Sequence, residues 1–226
     1  MTTQRKIHHV LDSQGNGDSF FYLPLLKAPI DISQPLLVTE KVDGTTVQGK
    51  KEDGQFTVYK RFDNFKPGDP RKHAASEAER YRLEKLQPKD PASKWIWLSV
   101  NRWQDKFNQL PEGLWVYFEA LGDKIGARYK GLPATVRVFD TAPESGSYNP
   151  FETTVEVIQQ AGLPLVAFRT VSFGDVETLI LQLQSAKPQD EELKPYVLEG
   201  WVLRQGETVA KIRVKDLDRL GRGVTV

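Results

Sequence analysis

Apolar positions in this chain fall into short runs and period-two alternations, broken by a few stretches with helical spacing. Leu36, Leu37 and Val38 lead as a strand into Glu40 and Lys41, and Asp43-Gly44 supplies a turn signal directly afterwards. Residues 45–51 and 55–61 flank a second Asp-Gly pair, Asp53-Gly54, and the later segment alternates Phe56 and Val58 with polar neighbours, the pattern of a hairpin. Strand-like stretches return at 114–121, 124–129 and 135–141, and residues 197–204 and 208–214 pair around Gln205-Gly206.

Helical signals are fewer. Ser76 with Glu79 makes a capping box for a helix through about Leu86, and Ile96, Val100, Trp103, Phe107 and Leu110 recur at helical spacing. Asn149-Pro150 opens a helix that ends at Gly162, and Asp175 caps another running to about Ser185. Before residue 35, Gly15-Asn16-Gly17-Asp18 reads as a loop, and Pro24, Pro29 and Pro35 exclude a long helix. Strands and helices mix without a regular β-α-β repeat, so the expected class is α+β with mainly antiparallel sheets. Residues 66–111, charged and bounded by prolines, are expected to form a helical insert.

Composition narrows the field. With 226 residues, 39% hydrophobic and 27% charged, residues 1–226 are expected to form one main domain. No apolar run reaches the ~20 residues of a membrane span, and the N-terminus lacks the apolar core of a signal peptide. A cytoplasmic protein with no membrane partner is expected, and no protein partner is evident. The absence of cysteine excludes disulfides, thiolate zinc sites and thiol nucleophiles. Three histidines, His8 and His9 adjacent, make a poor structural metal site. A net charge of +1 does not advertise nucleic acid, so positive charge for such a partner must be local.

The candidate chemistry centres on Lys41. A free lysine amine titrates at about 10.4 and is a weak nucleophile at neutral pH, so a catalytic one needs desolvation or a neighbouring cation. Lys60 and Arg61 end a nearby strand, and Lys211 and Arg213, two residues apart on another, share a face where they can clamp a phosphate. Lys215 would continue that face. Glu119 and Glu199 are carboxylates set in apolar strands, which demands a hydroxyl, a cation or a metal nearby. Each has a plainer reading: Lys41 as a surface lysine before a turn, the cations as a solvated face, the glutamates in structural salt bridges, and Phe139 as core. Trp95, Trp97 and Trp103 could stack on bases, although such a stripe is more often core packing.

Five segments occur in a fixed order: Lys41-Val42-Asp43-Gly44, Phe118 to Gly122, Val136 to Asp140, Leu198 to Val202, and Ala210 to Arg213. Together they resemble the covalent nucleotidyltransferase superfamily of polynucleotide ligases and mRNA capping enzymes. The resemblance implies that Lys41 attacks the α-phosphate of a nucleoside triphosphate and keeps the nucleotide as a phosphoramidate. It implies Glu40 on the exocyclic amine of adenine, Arg61 and Glu119 on the ribose, and Phe139 and Val202 on the two faces of the purine. Lys211 and Arg213 would hold the α-phosphate, while Glu199 and Asp43 would approach a divalent metal or its waters. Family members usually carry lysine where this chain has Arg213, and DNA ligases and capping enzymes carry arginine where it has Thr46.

Few residues follow Arg213, so the oligonucleotide-binding barrel of DNA ligases and capping enzymes is not expected. An ATP-dependent RNA ligase with Mg2+ or Mn2+ is therefore the favoured reading, acting on nicked or broken RNA ends in RNA repair or another joining task. Arg71, Lys72, Arg102 and Lys106 are the expected phosphate contacts. The alternatives are a minimal DNA ligase, a GTP-dependent guanylyltransferase, and a non-catalytic nucleotide- or RNA-binding module of the same fold.

Overall fold

The alternation read from residue 36 to residue 63 becomes three successive strands, the first of which pairs with neither of the other two. The structure is a computed structural model that describes residues 7–15, 20–126, 128–144 and 146–220. In chain order its elements are β1 (His8–His9), β2 (Leu11–Gln14), β3 (Phe21–Leu26), β4 (Leu36–Lys41), β5 (Thr45–Glu52) and β6 (Gln55–Asp63). There follow α1 (Arg71–Ala74), α2 (Glu77–Arg80), β7 (Tyr81–Lys85), α3 (Lys94–Asn101), α4 (Gln104–Phe107), β8 (Trp115–Leu121) and β9 (Thr135–Ala142). The last are α5 (Phe151–Gln160), β10 (Phe168–Val171), α6 (Val176–Ser185), β11 (Gly200–Gln205), β12 (Thr208–Arg213) and α7 (Val214–Leu217). The class is α+β with mainly antiparallel sheets.

The chain divides into two compact units, one spanning Gly44–Leu165 and the other made of residues on both sides of it. In the first, a sheet of order β7-β6-β5-β8-β9 is antiparallel throughout. Its β8 is buried along its whole length. Val116, Phe118 and Ala120 belong to a core with Ile96 and Val100 of α3, Phe107 of α4 and Ile158 of α5. Alternation sends Trp115, Tyr117 and Glu119 to the opposite face, where Trp115 and Tyr117 join Ala142 in a second cluster. The β5–β6 hairpin turns through Asp53 and Gly54 at φ of 52° and 78°, the left-handed pair that Asp-Gly favours.

Three expectations fail in this unit. The Ser76–Glu79 capping box forms, with Glu79 Oε2 accepting the Ser76 N–H at 2.7 Å, but its helix lasts one turn. Tyr81-Arg82-Leu83-Glu84-Lys85 then pairs with β6, its alternating Tyr81 and Leu83 serving a sheet edge better than a helix face. Residues 66–111 are thus a mixture of short helices and a strand. Where strand 124–129 is expected, residues 124–125 form a turn instead, with Ile125 N–H bonding the Gly122 carbonyl, and residue 127 lies outside the described residues. The third is the stripe from Ile96 to Leu110, which is divided between α3 and α4; of the tryptophans beside it, Trp97 and Trp103 pack partly buried against the core, Trp103 Nε1 donating to Thr135 Oγ1 at 3.2 Å, while Trp95 is exposed.

The other unit carries a sheet of order β1-β12-β11-β4-β10, antiparallel except for the short β1–β12 pair, and the β2–β3 ribbon. Val38, Trp201, Leu203, Ala210 and Ile212 face a core completed by Leu179, Ile180 and Leu183 of α6. Asp175 accepts the Thr178 N–H at 2.7 Å and starts that helix as its sequence predicts. Of the loop at 15–18, residues 16–18 lie outside the described residues.

Candidate active site

Lys41 is the last residue of β4, and register fixes what surrounds it. It lies opposite Gly200 on β11, while Thr39 lies opposite Val202, Val202 opposite Lys211, and Gly200 opposite Arg213. Period-two alternation therefore puts Thr39, Lys41, Val202, Lys211 and Arg213 on one face of the sheet. Gly200 has a steric reason: a Cβ there would stand 2.1 Å from the Ile212 carbonyl oxygen. Glu199, nine-tenths buried, accepts the Lys41 amine at 2.6 Å through Oε2.

Lys211 is half-buried on this face. Burial first, then the charges of Lys41 and Arg213, lower its ammonium from the usual lysine range, against the opposing pull of Glu199 and Asp216. Arg213 is held by Asp216, which accepts its Nη2 at 2.8 Å, its Nε at 3.0 Å and its backbone N–H at 3.0 Å. The same carboxylate is 2.8 Å from His9 Nε2. Burial pushes Asp216 up, but hydrogen bonds from His9 and Arg213 outweigh it and hold the carboxyl well below the usual range. Lys215 does not continue the strand face, because the chain enters α7 at Val214.

Glu40 goes to the other side. Adjacent residues on a strand point to opposite faces, so its carboxylate shares the core face with Val38 and Trp201. It lines a cavity of about 300 Å³ with Phe168, Arg169, Lys187 and Trp201, and its Oε1 accepts the Gln189 N–H at 2.5 Å. The structure does not bring Glu40 to the Lys41 face.

In the 44–165 unit, Glu119 is reached by neutral donors, the Gly44 N–H at 3.1 Å and the Thr46 hydroxyl at 2.8 Å. Arg137, 2% exposed, is its cross-strand neighbour on β9. Gly44 is a close-approach residue, since a Cβ would stand 2.2 Å from the Ala120 carbonyl oxygen. Its Asp-Gly signal therefore marks a crossing from one sheet to another rather than a hairpin. Phe139 sits in a β-bulge: Tyr117 pairs with Asp140 and Phe118 with Val138, leaving Phe139 as the extra residue. Such bulges re-aim a side chain, and no sequence pattern announced this one. The Arg61 guanidinium lies over the Tyr81 ring, 4.4 Å from its centre.

Of the expected RNA contacts, Arg71 pairs with Asp69 at 2.7 Å and Lys72 with Asp63. Among the described residues no three carboxylates or imidazoles gather to hold a metal. An ion of the magnesium type takes one or two protein carboxylates and fills its shell with water and phosphate oxygens, so it does not require such a cluster.

A family model described as RNA ligase matches residues 34–217, most of the chain. The chain belongs to the RNA ligase family. Solved structures agree at the level of fold: a Naegleria gruberi RNA ligase in complex with PPi matches with a TM-score of 0.59 and 16% identity, over 82% of this chain and 51% of that one. A mutant of the same ligase with ATP and Mn gives 0.59 and 16%, over 83% and 52%, and an apo mutant gives 0.58 and 15%, over 82% and 51%. This RNA ligase family chain thus spans about half the length of those proteins. No curated protein sequence matches it.

Proposed function

We propose that this chain is an ATP-dependent RNA ligase that joins 5'-phosphate and 3'-hydroxyl RNA ends through lysyl-AMP and an RNA-adenylate. The observation that carries the reading is the Lys41 amine, fixed 2.6 Å from the buried Glu199 carboxylate on the sheet face that also bears Lys211.

Lys41 Nζ attacks the α-phosphorus of ATP, forming the P–N bond as the bond to pyrophosphate breaks. The amine proton passes to Glu199, the nearest base in hydrogen-bonding reach. Lys211 and Arg213 offset charge on the transferred group, and burial, then the neighbouring charges of Lys41 and Arg213, lower the Lys211 ammonium. A 5'-phosphate of RNA then attacks the same phosphorus, the P–N bond breaks and Lys41 regains its proton. The 3'-hydroxyl attacks the activated 5'-phosphorus, the phosphodiester forms, and AMP leaves. Glu199 and Asp43 would hold the divalent metal, magnesium or manganese, and its charge would offset that of the phosphates.

Glu119 and Arg61 keep their assignment to the ribose, and Phe139 and Val202 to the purine. Glu40 keeps its assignment to the exocyclic amine of adenine, which it would meet from the cavity it lines with Trp201. We further take residues 1–226 as one nucleotidyltransferase domain acting on nicked or broken RNA in the cytoplasm. No helix of the described residues is long and apolar enough to cross a membrane.

Sealing of a nicked RNA duplex and a nicked DNA duplex, with ATP or GTP, tests this. Joined RNA with ATP is the expected result. Joined DNA only, or GTP as the sole donor, would replace the reading by a DNA ligase or a guanylyltransferase.

A further inference from the structure

Beside Arg213 lies a cavity of about 420 Å³ lined by Tyr22, Arg213, Lys215, Asp216, Asp218 and Arg219. Three of these six residues are cations, and the two carboxylates are not equivalent. Asp216 is 3% exposed, and its oxygens are spent on the Arg213 backbone N–H, Nε and Nη2 and on His9. That leaves Asp218 as the lining carboxylate not engaged in this network.

The same network fixes Arg213. Asp216 grips one edge of the guanidinium through Nε and Nη2, so Nη1 is not used on it. Tyr22 lines the same cavity as Arg213 and stacks on His9, ring centres 4.4 Å apart. His9 in turn is set by the pairing of β1 with β12, opposite Lys211. A guanidinium immobilised this way presents its remaining donors at little further entropic cost, and Lys215 and Arg219, both exposed, add charge at the cavity.

We propose that this cavity is a phosphate subsite, with Arg213 as its fixed donor, Lys215 and Arg219 as further cations, and Asp216 and His9 as the residues that position Arg213. The ligand is a phosphate group of the substrate, either in the polyphosphate tail of the nucleotide or at the 5' end of RNA. This deepens the ligase reading and rests on it only for the source of the phosphate.

Calorimetry with sodium pyrophosphate, and binding of one RNA oligonucleotide with a 5'-phosphate or a 5'-hydroxyl, test the proposal on the full chain. The variants are the double replacement Lys215→Glu with Arg219→Glu, and Asp218→Asn. All three positions are exposed, and an unchanged urea midpoint verifies folding. The double variant is expected to weaken phosphate binding at least about tenfold, the scale of one charge-assisted hydrogen bond, while Asp218→Asn tightens it. Loss confined to pyrophosphate assigns the cavity to the nucleotide tail. Loss confined to the 5'-phosphate advantage assigns it to the RNA end. Unchanged binding in both arms, or weaker binding after Asp218→Asn, overturns the proposal. Lysyl-AMP formation is scored separately: an adduct with phosphate binding indifferent to these variants overturns the subsite alone, and no adduct with the expected binding changes overturns the ligase reading alone.

Discussion

The two compact units each carry a five-stranded sheet, and the contacts of their candidate carboxylates differ. In the 44–165 unit Glu119 accepts hydrogen bonds from a backbone N–H and a hydroxyl and lies opposite the buried Arg137. In the other unit, charges are set against charges: Lys41 on Glu199, and Arg213 and His9 on Asp216, with Lys211 among them. In the proposed function covalent chemistry belongs to the Lys41 sheet, where Lys41 meets Glu199 beside Lys211, and ribose recognition to the Glu119 sheet.

The sharpest way to break this division is Lys211→Ala. Lysyl-AMP formation should slow by about 10²–10³-fold, the usual cost of losing one electrostatic contact to a transferred group. Single-turnover kinetics would measure it, and a rate near wild type would remove the cation cluster from the chemistry.

Asp216→Asn comes next and acts on stability. Asp216 is held below its ordinary range in the folded chain, so its contribution is complete above about pH 3.9 and fades as pH falls toward the folded value. Urea unfolding at neutral pH should show a loss of about 1.5–3 kcal/mol, and the gap from wild type should close below about pH 4. A gap independent of pH would mean that the charge is not what counts.

Gly44→Ala should cost about 1–3 kcal/mol in the same assay, because its Cβ would press on the Ala120 carbonyl oxygen. An unchanged midpoint would show that the approach of β5 to β8 is looser than its geometry. The smallest effect is expected for Thr46→Val, which removes one hydroxyl from Glu119. A loss of about 1 kcal/mol, or about fivefold in KM for ATP with kcat preserved, would mark Glu119 as a recognition group. A fall in kcat instead would move it to the chemistry and blur the contrast between the sheets.

Local signals carried much of this fold and site. Asp53-Gly54 announced its hairpin, Asp175 its helix, and the order of the motif segments the strands that bear Lys41, Glu119, Phe139 and Lys211. Three features escaped because they depend on pairing. The capping box at Ser76 is sound, but β6 needed a partner and took Tyr81–Lys85 as strand β7. Phe139 is a bulge only because β8 and β9 slip by one residue, which neither strand encodes alone. The hold on Arg213 links Asp216 to His9, 207 positions earlier, and no local pattern spans that distance. Glu40 differs, since strand periodicity alone puts it on the face away from Lys41.

Intact-protein mass after incubation with ATP or GTP and a divalent metal, on wild type and on Lys41→Ala, tests the central claim most directly. The account predicts gain of one AMP by the wild type only. No adduct with either nucleotide, in protein shown not to be adenylylated already, or an AMP adduct that survives loss of Lys41, would contradict it.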